Sequence, residues 1–243
     1  MCARCGTLSR RAVVTGAAAL AGSLFCGGLA RAELREPVPP PNAIAPLAAL
    51  EKLRKGNERY VRNRPIQKSF SVDVYARAKK QFPFACILSC ADSRVAPELV
   101  FDQRPGELFV VRVAGNVVDE YGVASLEYAV KMLGVPLIVV MGHTGCGAVA
   151  AAIEMVEEKV AFPGSLPRLV DALRPAVAQA RAQIGTQTGS DLLTAAVEAN
   201  ARINANRLRA SKPVIGATLE AGKLAVVPAL YTLATGRFSV LTA

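Results

Sequence analysis

Apolar positions along the chain change period several times, and each change marks an element. Leu47, Leu50, Leu53 and Val61 recur near helical spacing among charged residues, which predicts an amphipathic helix over 46–62. Ser71 can cap a second helix running to Gln81, before Pro83. The pattern then switches to short unbroken apolar runs at 84–89, 108–113 and 136–141, as expected of strands buried on both faces. Helical periodicity returns at 122–133, 145–158, 166–182 and 191–210. Two late runs, 214–219 and 224–230, flank Glu220-Ala221-Gly222-Lys223 and predict an antiparallel hairpin closing the sheet edge. Strands alternating with helices predict a single α/β domain, a mostly parallel sheet flanked by helices.

Upstream of this domain the pattern is different. Ser9-Arg10-Arg11 opens a mildly apolar, Ala- and Gly-rich stretch reaching Ala30, and Ala30-Arg31-Ala32 has the small-x-small form of a signal-peptidase site. The paired arginines resemble a twin-arginine export signal, so residues 1–32 are expected to be an export signal peptide and the product periplasmic. The alternative is a retained anchor, which Gly16, Gly22, Gly27 and Gly28 make a poor helix; no stable membrane anchor is expected after processing. Residues 33–46 contain Pro37, Pro39, Pro40, Pro41 and Pro46 and predict an extended linker or arm. The domain is expected over 47–243.

Composition narrows the function classes. Of 243 residues, 52% are apolar and 20% charged, which excludes a disordered chain and leaves ample length for a core. Basic residues number 29 against 19 acids, but the leader's Arg4, Arg10, Arg11 and Arg31 face no acid there and supply four of the ten excess charges. The remainder holds no Lys/Arg block. Aromatics are 5% with no Trp, so single-strand reading by base stacking is not expected, nor is a nucleic-acid partner.

Chemistry concentrates in two short segments. Outside the leader three cysteines remain, Cys86, Cys90 and Cys146, and the whole chain has one histidine, His143. Cys90 and Asp92 follow the strand ending at Ser89; His143 and Cys146 follow the strand ending at Met141. Open parallel sheets gather ligands outside the carboxyl ends of their strands, so two thiols, one imidazole and one carboxylate should meet at one rim. Two Cys, one His and an oxygen form a plausible tetrahedral zinc set. Glycines at 142, 145 and 147 permit a tight backbone around it. A lone His is more often a satisfied structural group, and buried Cys often a small hydrophobe; Cys86, in mid-strand, is read as packing.

Cys90-Ala91-Asp92-Ser93-Arg94 followed by Gly142-His143-Thr144-Gly145-Cys146-Gly147 resembles the β-class carbonic anhydrases. The resemblance runs from about Leu47 to about Leu219. It takes in Gly56-Asn57-Glu58-Arg59-Tyr60, the segment Pro105 to Arg112, and Leu126-Glu127-Tyr128-Ala129-Val130. It implies one zinc ion per subunit on Cys90, His143 and Cys146, with water or Asp92 in the fourth position. It implies Asp92 and Arg94 as a catalytic pair, and substrate contacts from Gln81, Phe109, Tyr128 and Gly147. It further implies a homodimer, or a larger assembly of dimers whose first helix embraces the partner.

The implied reaction is reversible hydration of CO₂ to bicarbonate and a proton. Two thiolates offset the ion's charge, so water there should be less acidic than at a His₃ zinc site, where its pKa is near 7, and activity should rise toward alkaline pH. Hydrolysis of carbonyl sulfide or carbon disulfide on the same fold is the alternative. A non-catalytic zinc- or bicarbonate-sensing module is a third reading, which the Asp92–Arg94 pair disfavours. Some bacterial relatives carry an inhibitory bicarbonate site with a Trp three residues before the first cysteine ligand. Ile87 stands there, so that inhibition is not expected, and Arg112, which matches that site's arginine, can also be a salt-bridge partner.

Overall fold

A computed structural model describes residues 39–68 and 74–242. The expected export signal, the linker as far as residue 38, and Ser71 lie outside the described residues.

Five strands make one sheet in the order β2-β1-β3-β4-β5. They are β1 Ala85–Ser89, β2 Leu108–Arg112, β3 Leu137–His143, β4 Ala225–Thr232 and β5 Arg237–Val240. The first four are parallel and β5 returns antiparallel, pairing Tyr231 with Phe238. Central β1 and β3 are buried at every position, as their unbroken apolar runs require, whereas β5 alternates exposed and half-buried residues at the sheet edge. Successive β3 residues feed opposite layers. Leu137, Val139 and Met141 join one core cluster, Ile138 and Val140 the other.

Helix α1, Pro46–Val61, starts on a proline and turns Ala49, Leu50, Leu53, Gly56 and Asn57 inward. Gly56 lies against the Phe101 backbone, where a Cβ would come within 2.8 Å of the carbonyl carbon and closer still to its oxygen. Asn57 beside it donates to the carbonyls of Val100 (3.1 Å) and Gly236 (2.8 Å) and accepts from the Phe238 amide (2.8 Å). Arg59 and Lys68 then close on the buried Asp102 carboxylate. The Gly-Asn-Glu-Arg-Tyr motif is therefore a seat for α1 on its own sheet.

The other helices follow the predicted order, with one short helix, Pro97–Val100, added where the apolar pattern marks no element. They are α2 Val74–Lys79, the single turn α3 Pro97–Val100, and α4 Glu120–Leu133, capped by the Asp119 side chain and ended by left-handed Gly134. Helix α5, Gly147–Ile153, runs into a π-helical turn, Glu154–Glu158. Helices α6, Leu166–Ile184, and α7, Ser190–Ala210, complete that layer. One expectation fails. The run at 214–219 is not a strand but part of α8, Ile215–Glu220, whose Ile215 and Leu219 face one core cluster at i, i+4 spacing. The closing hairpin pairs β4 with β5 instead, and β4 lies parallel beside β3. Among the described residues no helix is long and apolar enough to cross a membrane.

Candidate metal centre

The chain runs from β1 out to β2 and then crosses back to β3 on the other side, so the sheet's switch point lies between the carboxyl ends of β1 and β3. Cys90 is the first residue after β1, His143 the last of β3, and Cys146 immediately precedes α5. All three are buried, and their ligand atoms lie within 4.8 Å of one another, with the two sulfurs 4.0 Å apart.

The His143 ring is held by one edge. Its Nδ1 lies 3.0 Å from the Thr144 carbonyl, which assigns the proton to Nδ1 and leaves the Nε2 lone pair facing the sulfurs. Nε2 is buried with no hydrogen-bond partner among the described residues. Thr144 is itself pinned to β4 and beyond, its amide donating to Tyr231 and its hydroxyl accepting from Leu233.

Asp92 sits at the rim. Arg94 grips it with two side-chain hydrogen bonds, Nε to Oδ1 at 2.9 Å and Nη2 to Oδ2 at 2.6 Å, and adds its own backbone amide to Oδ1. The guanidinium beside Asp92 holds that carboxyl well below the usual carboxylate range. Its Oδ2 lies 3.7 Å from His143 Nε2, so the carboxylate faces the space enclosed by the three ligand atoms.

Electrostatics of the sulfur pair favour a cation. Hydrogen bonding from Cys146 lowers the Cys90 thiol, against the opposing effect of burial. The contact with Cys90, followed by burial, pushes Cys146 up. Two thiolates at this separation repel in a dry site, and a bound dication removes that conflict. The donor set, the unsatisfied Nε2 and the buried sulfur pair fit a tetrahedral zinc ion. Cys86, by contrast, is fully buried in β1, where desolvation raises its thiol, in keeping with packing.

The structure brings Cys90, Asp92, Arg94, His143 and Cys146 together, with Gly147 beside them at the exposed start of α5. Gln81 and Tyr128 lie elsewhere. They line a cavity of about 770 Å³ shared with Pro105 and Leu133, residues that precede β2 and β3, so it sits at the amino ends of the strands while the ligands sit at the carboxyl ends. Phe109 pairs in register with Cys86 and meets the Tyr128 ring at 6.5 Å between centroids. Arg112 donates to the carbonyls of Cys90 (3.0 Å) and Asp92 (2.6 Å), gripping both ends of the Cys90–Asp92 loop.

Residues 85–238 match the sequence model of the family described as Carbonic anhydrase. Carbonic anhydrase 2 of Mycobacterium tuberculosis is 40% identical over 193 residues, covering 79% of this chain and 91% of the relative. A carbonic anhydrase of Pseudomonas aeruginosa is 38% identical over 172 residues, covering 68% of this chain and 76% of the relative. This chain belongs to the β-class carbonic anhydrase family. Its fold superposes on the β-carbonic anhydrase of Coccomyxa with a TM-score of 0.63 at 30% identity, covering 80% of this chain and 85% of that one. A Sordaria macrospora β-carbonic anhydrase described as tetrameric gives 0.65 at 24% identity, over 71% of this chain and 88% of that one. The family match extends through the start of β5, beyond the reach of the motifs read from the sequence.

Sequence reasoning missed the second layer of this centre. Gly115 donates its amide to the Cys90 sulfur at 3.2 Å, and Asn200 on α7 donates to the Gly115 carbonyl at 2.7 Å. The available signal was two asparagines four residues apart, Asn200 and Asn204, on an otherwise apolar buried helix face.

Proposed function

We propose that this chain catalyses the reversible hydration of CO₂ to bicarbonate and a proton, with one zinc ion held by Cys90, His143 and Cys146. The observation that carries the reading is the unsatisfied, buried His143 Nε2 facing two sulfurs and the Arg94-clamped Asp92 carboxylate. When bound, zinc supplies a Lewis acid that makes water acidic enough to act as a nucleophile.

The residues do the rest. With the metal bound, Cys90 and Cys146 would bring two negative charges to the centre and make water there less acidic than three neutral imidazoles would, so turnover is expected to rise from neutral toward alkaline pH. Arg94 keeps Asp92 ionised and aimed inward. Asp92 Oδ2 can then accept a hydrogen bond from the reacting water or fill the fourth ligand position itself. His143 cannot shuttle protons while it serves as a ligand, and it is the only histidine, so protons leave through Asp92 and solvent.

The working form on this reading is a homo-oligomer. Gln81 and Tyr128 lie at the strands' amino ends, away from the chain's own cluster, so their substrate contacts need a second copy. Exposed Tyr121, Tyr128 and Met132 on α4 beside edge strand β2 supply apolar surface for it. Export to the periplasm belongs to the same proposal and rests on Arg10-Arg11 and Ala30-Arg31-Ala32.

The test is stopped-flow CO₂ hydration by zinc-replete protein from neutral to alkaline pH, run beside carbonyl sulfide and carbon disulfide. Activity on CO₂ that rises with pH is the expected result. Zinc-replete protein inert toward CO₂ but active on a sulfur analogue, or inert toward all three, overturns the assignment.

A further inference from the structure

The buried polar atoms of α7 form a chain that ends on a metal-ligand atom. Asn204 is buried. Its Oδ1 accepts from the Val118 amide (3.1 Å), and its Nδ2 donates to Asn200 at both the backbone carbonyl (3.0 Å) and Oδ1 (2.8 Å). That contact occupies the oxygen of the Asn200 amide and leaves its NH₂ group to donate to the Gly115 carbonyl at 2.7 Å. Gly115 adopts a left-handed conformation, φ 69° and ψ 15°, in the tight turn at 114–116, and its amide points at the Cys90 sulfur. A Cβ at Gly115 would come within 3.0 Å of Leu173, so that turn is boxed in from the side of α6 as well.

A buried helix face gains nothing from two amides where leucine would pack, unless they satisfy something costly. Here they satisfy the Gly115 carbonyl and so hold in place the turn residue whose amide meets the Cys90 sulfur. An N–H donor on a thiolate draws electron density from sulfur and fixes its position, the role outer hydrogen bonds commonly play around metal ligands.

We propose that Asn200, oriented by Asn204, is a positioning residue for the Cys90 sulfur, tuning its donation to the metal through the Gly115 amide. This rests on the reading that Cys90, His143 and Cys146 hold a metal.

The test substitutes cobalt(II) for zinc in the full-length protein and compares wild type with Asn200→Leu, which keeps the bulk and removes the donor. Wild type is expected to show sulfur-to-cobalt charge-transfer absorption. In Asn200→Leu that band moves to lower energy, and metal affinity against a competing chelator falls about 10–100-fold. Leu192→Ala, which also loosens buried α7 but lies outside the asparagine chain, is expected to lower stability and leave the band in place. Should Asn200→Leu not fold, Asn204→Leu frees the Asn200 amide to flip and gives a smaller shift in the same direction. An unmoved band in these asparagine variants, or an equal shift in Leu192→Ala, overturns the proposal while leaving the metal centre standing. Wild type that binds no cobalt through sulfur overturns the metal reading and the proposal with it.

Discussion

Alanine at position 56 separates two physical arguments by sign. On helix propensity alone, replacing a mid-helix glycine by alanine stabilises by about 1 kcal/mol. The packing of α1 says the reverse. The added methyl would stand 2.8 Å from the Phe101 carbonyl carbon and 2.9 Å from Gln103 Nε2, with the carbonyl oxygen nearer still. Restoring ordinary contact moves α1 outward by roughly an ångström. The Asn57 bonds to Gly236 and Phe238, both 2.8 Å, then stretch out of hydrogen-bond range, and the 3.1 Å bond to Val100 goes with them. Three lost bonds at about 1 kcal/mol each, plus the cost of leaving partly buried carbonyls without a donor, give a destabilisation of about 3–5 kcal/mol. That is a large fraction of a domain's total stability. Urea unfolding followed by circular dichroism, at one protein concentration, reads it as a lower midpoint with little change in slope. A Gly56→Ala variant as stable as wild type, or more so, refutes the close-approach argument.

Other consequences are open to direct measurement. Arg94→Lys removes the bidentate clamp but no metal ligand. Zinc content should stay near one per chain while the CO₂ hydration rate falls about 10–100-fold; unchanged kinetics would place Arg94 outside the chemistry. Burial works against the Asp102 charge, but Lys68, Arg59 and the Ile66 amide outweigh it and depress its pKa. Its stabilising contribution is therefore complete above the unfolded carboxyl pKa of about 4 and is lost as pH falls through the lower folded value. Asp102→Asn should flatten the acid limb of stability below about pH 4, and a limb as steep as wild type would remove Asp102 from that account. Changing both Arg10 and Arg11 to Lys should leave the protein in the cytoplasmic fraction, and undiminished appearance in the periplasm would reject the twin-arginine route.

The parts legible in the sequence were those where one local rule decides. Unbroken apolar runs identified β1 and β3 because a strand covered on both faces has little room for polar residues; β2 showed the same kind of run, although at the sheet edge it is only half-buried and ends on exposed Arg112. Cys90, Asp92, His143 and Cys146 were visible because reactive side chains fell at or just past the ends of two of those strands. The segment 214–219 was misread because Val214 and Ile215 favour a strand locally, while the i, i+4 burial of Ile215 and Leu219 is set by the surrounding core. Strand β5 has only four residues with no fully buried position, too weak a pattern to mark it. The placement of Gln81 and Tyr128 away from the ligands follows from sheet direction, which separates the two ends of β1. The support from Gly115, Asn200 and Arg112 left only the faint mark of two asparagines on an apolar helix face, because its bonds run through backbone carbonyls and amides, which any sequence possesses.

Asn57 also bears on how the chain is made. Its partners at Gly236 and Phe238 lie 179 and 181 residues downstream, within the final hairpin. Helix α1 is therefore among the first elements of the domain to be synthesised and among the last to be locked, since its seat is incomplete until β5 exists. Contacts of such long sequence separation slow folding. A growing chain, or one cut before Gly236, lacks the Asn57 partners on β5, so α1 is seated in full only once Gly236 and Phe238 have been made, and a lesion in β5 reaches a helix 179 residues upstream.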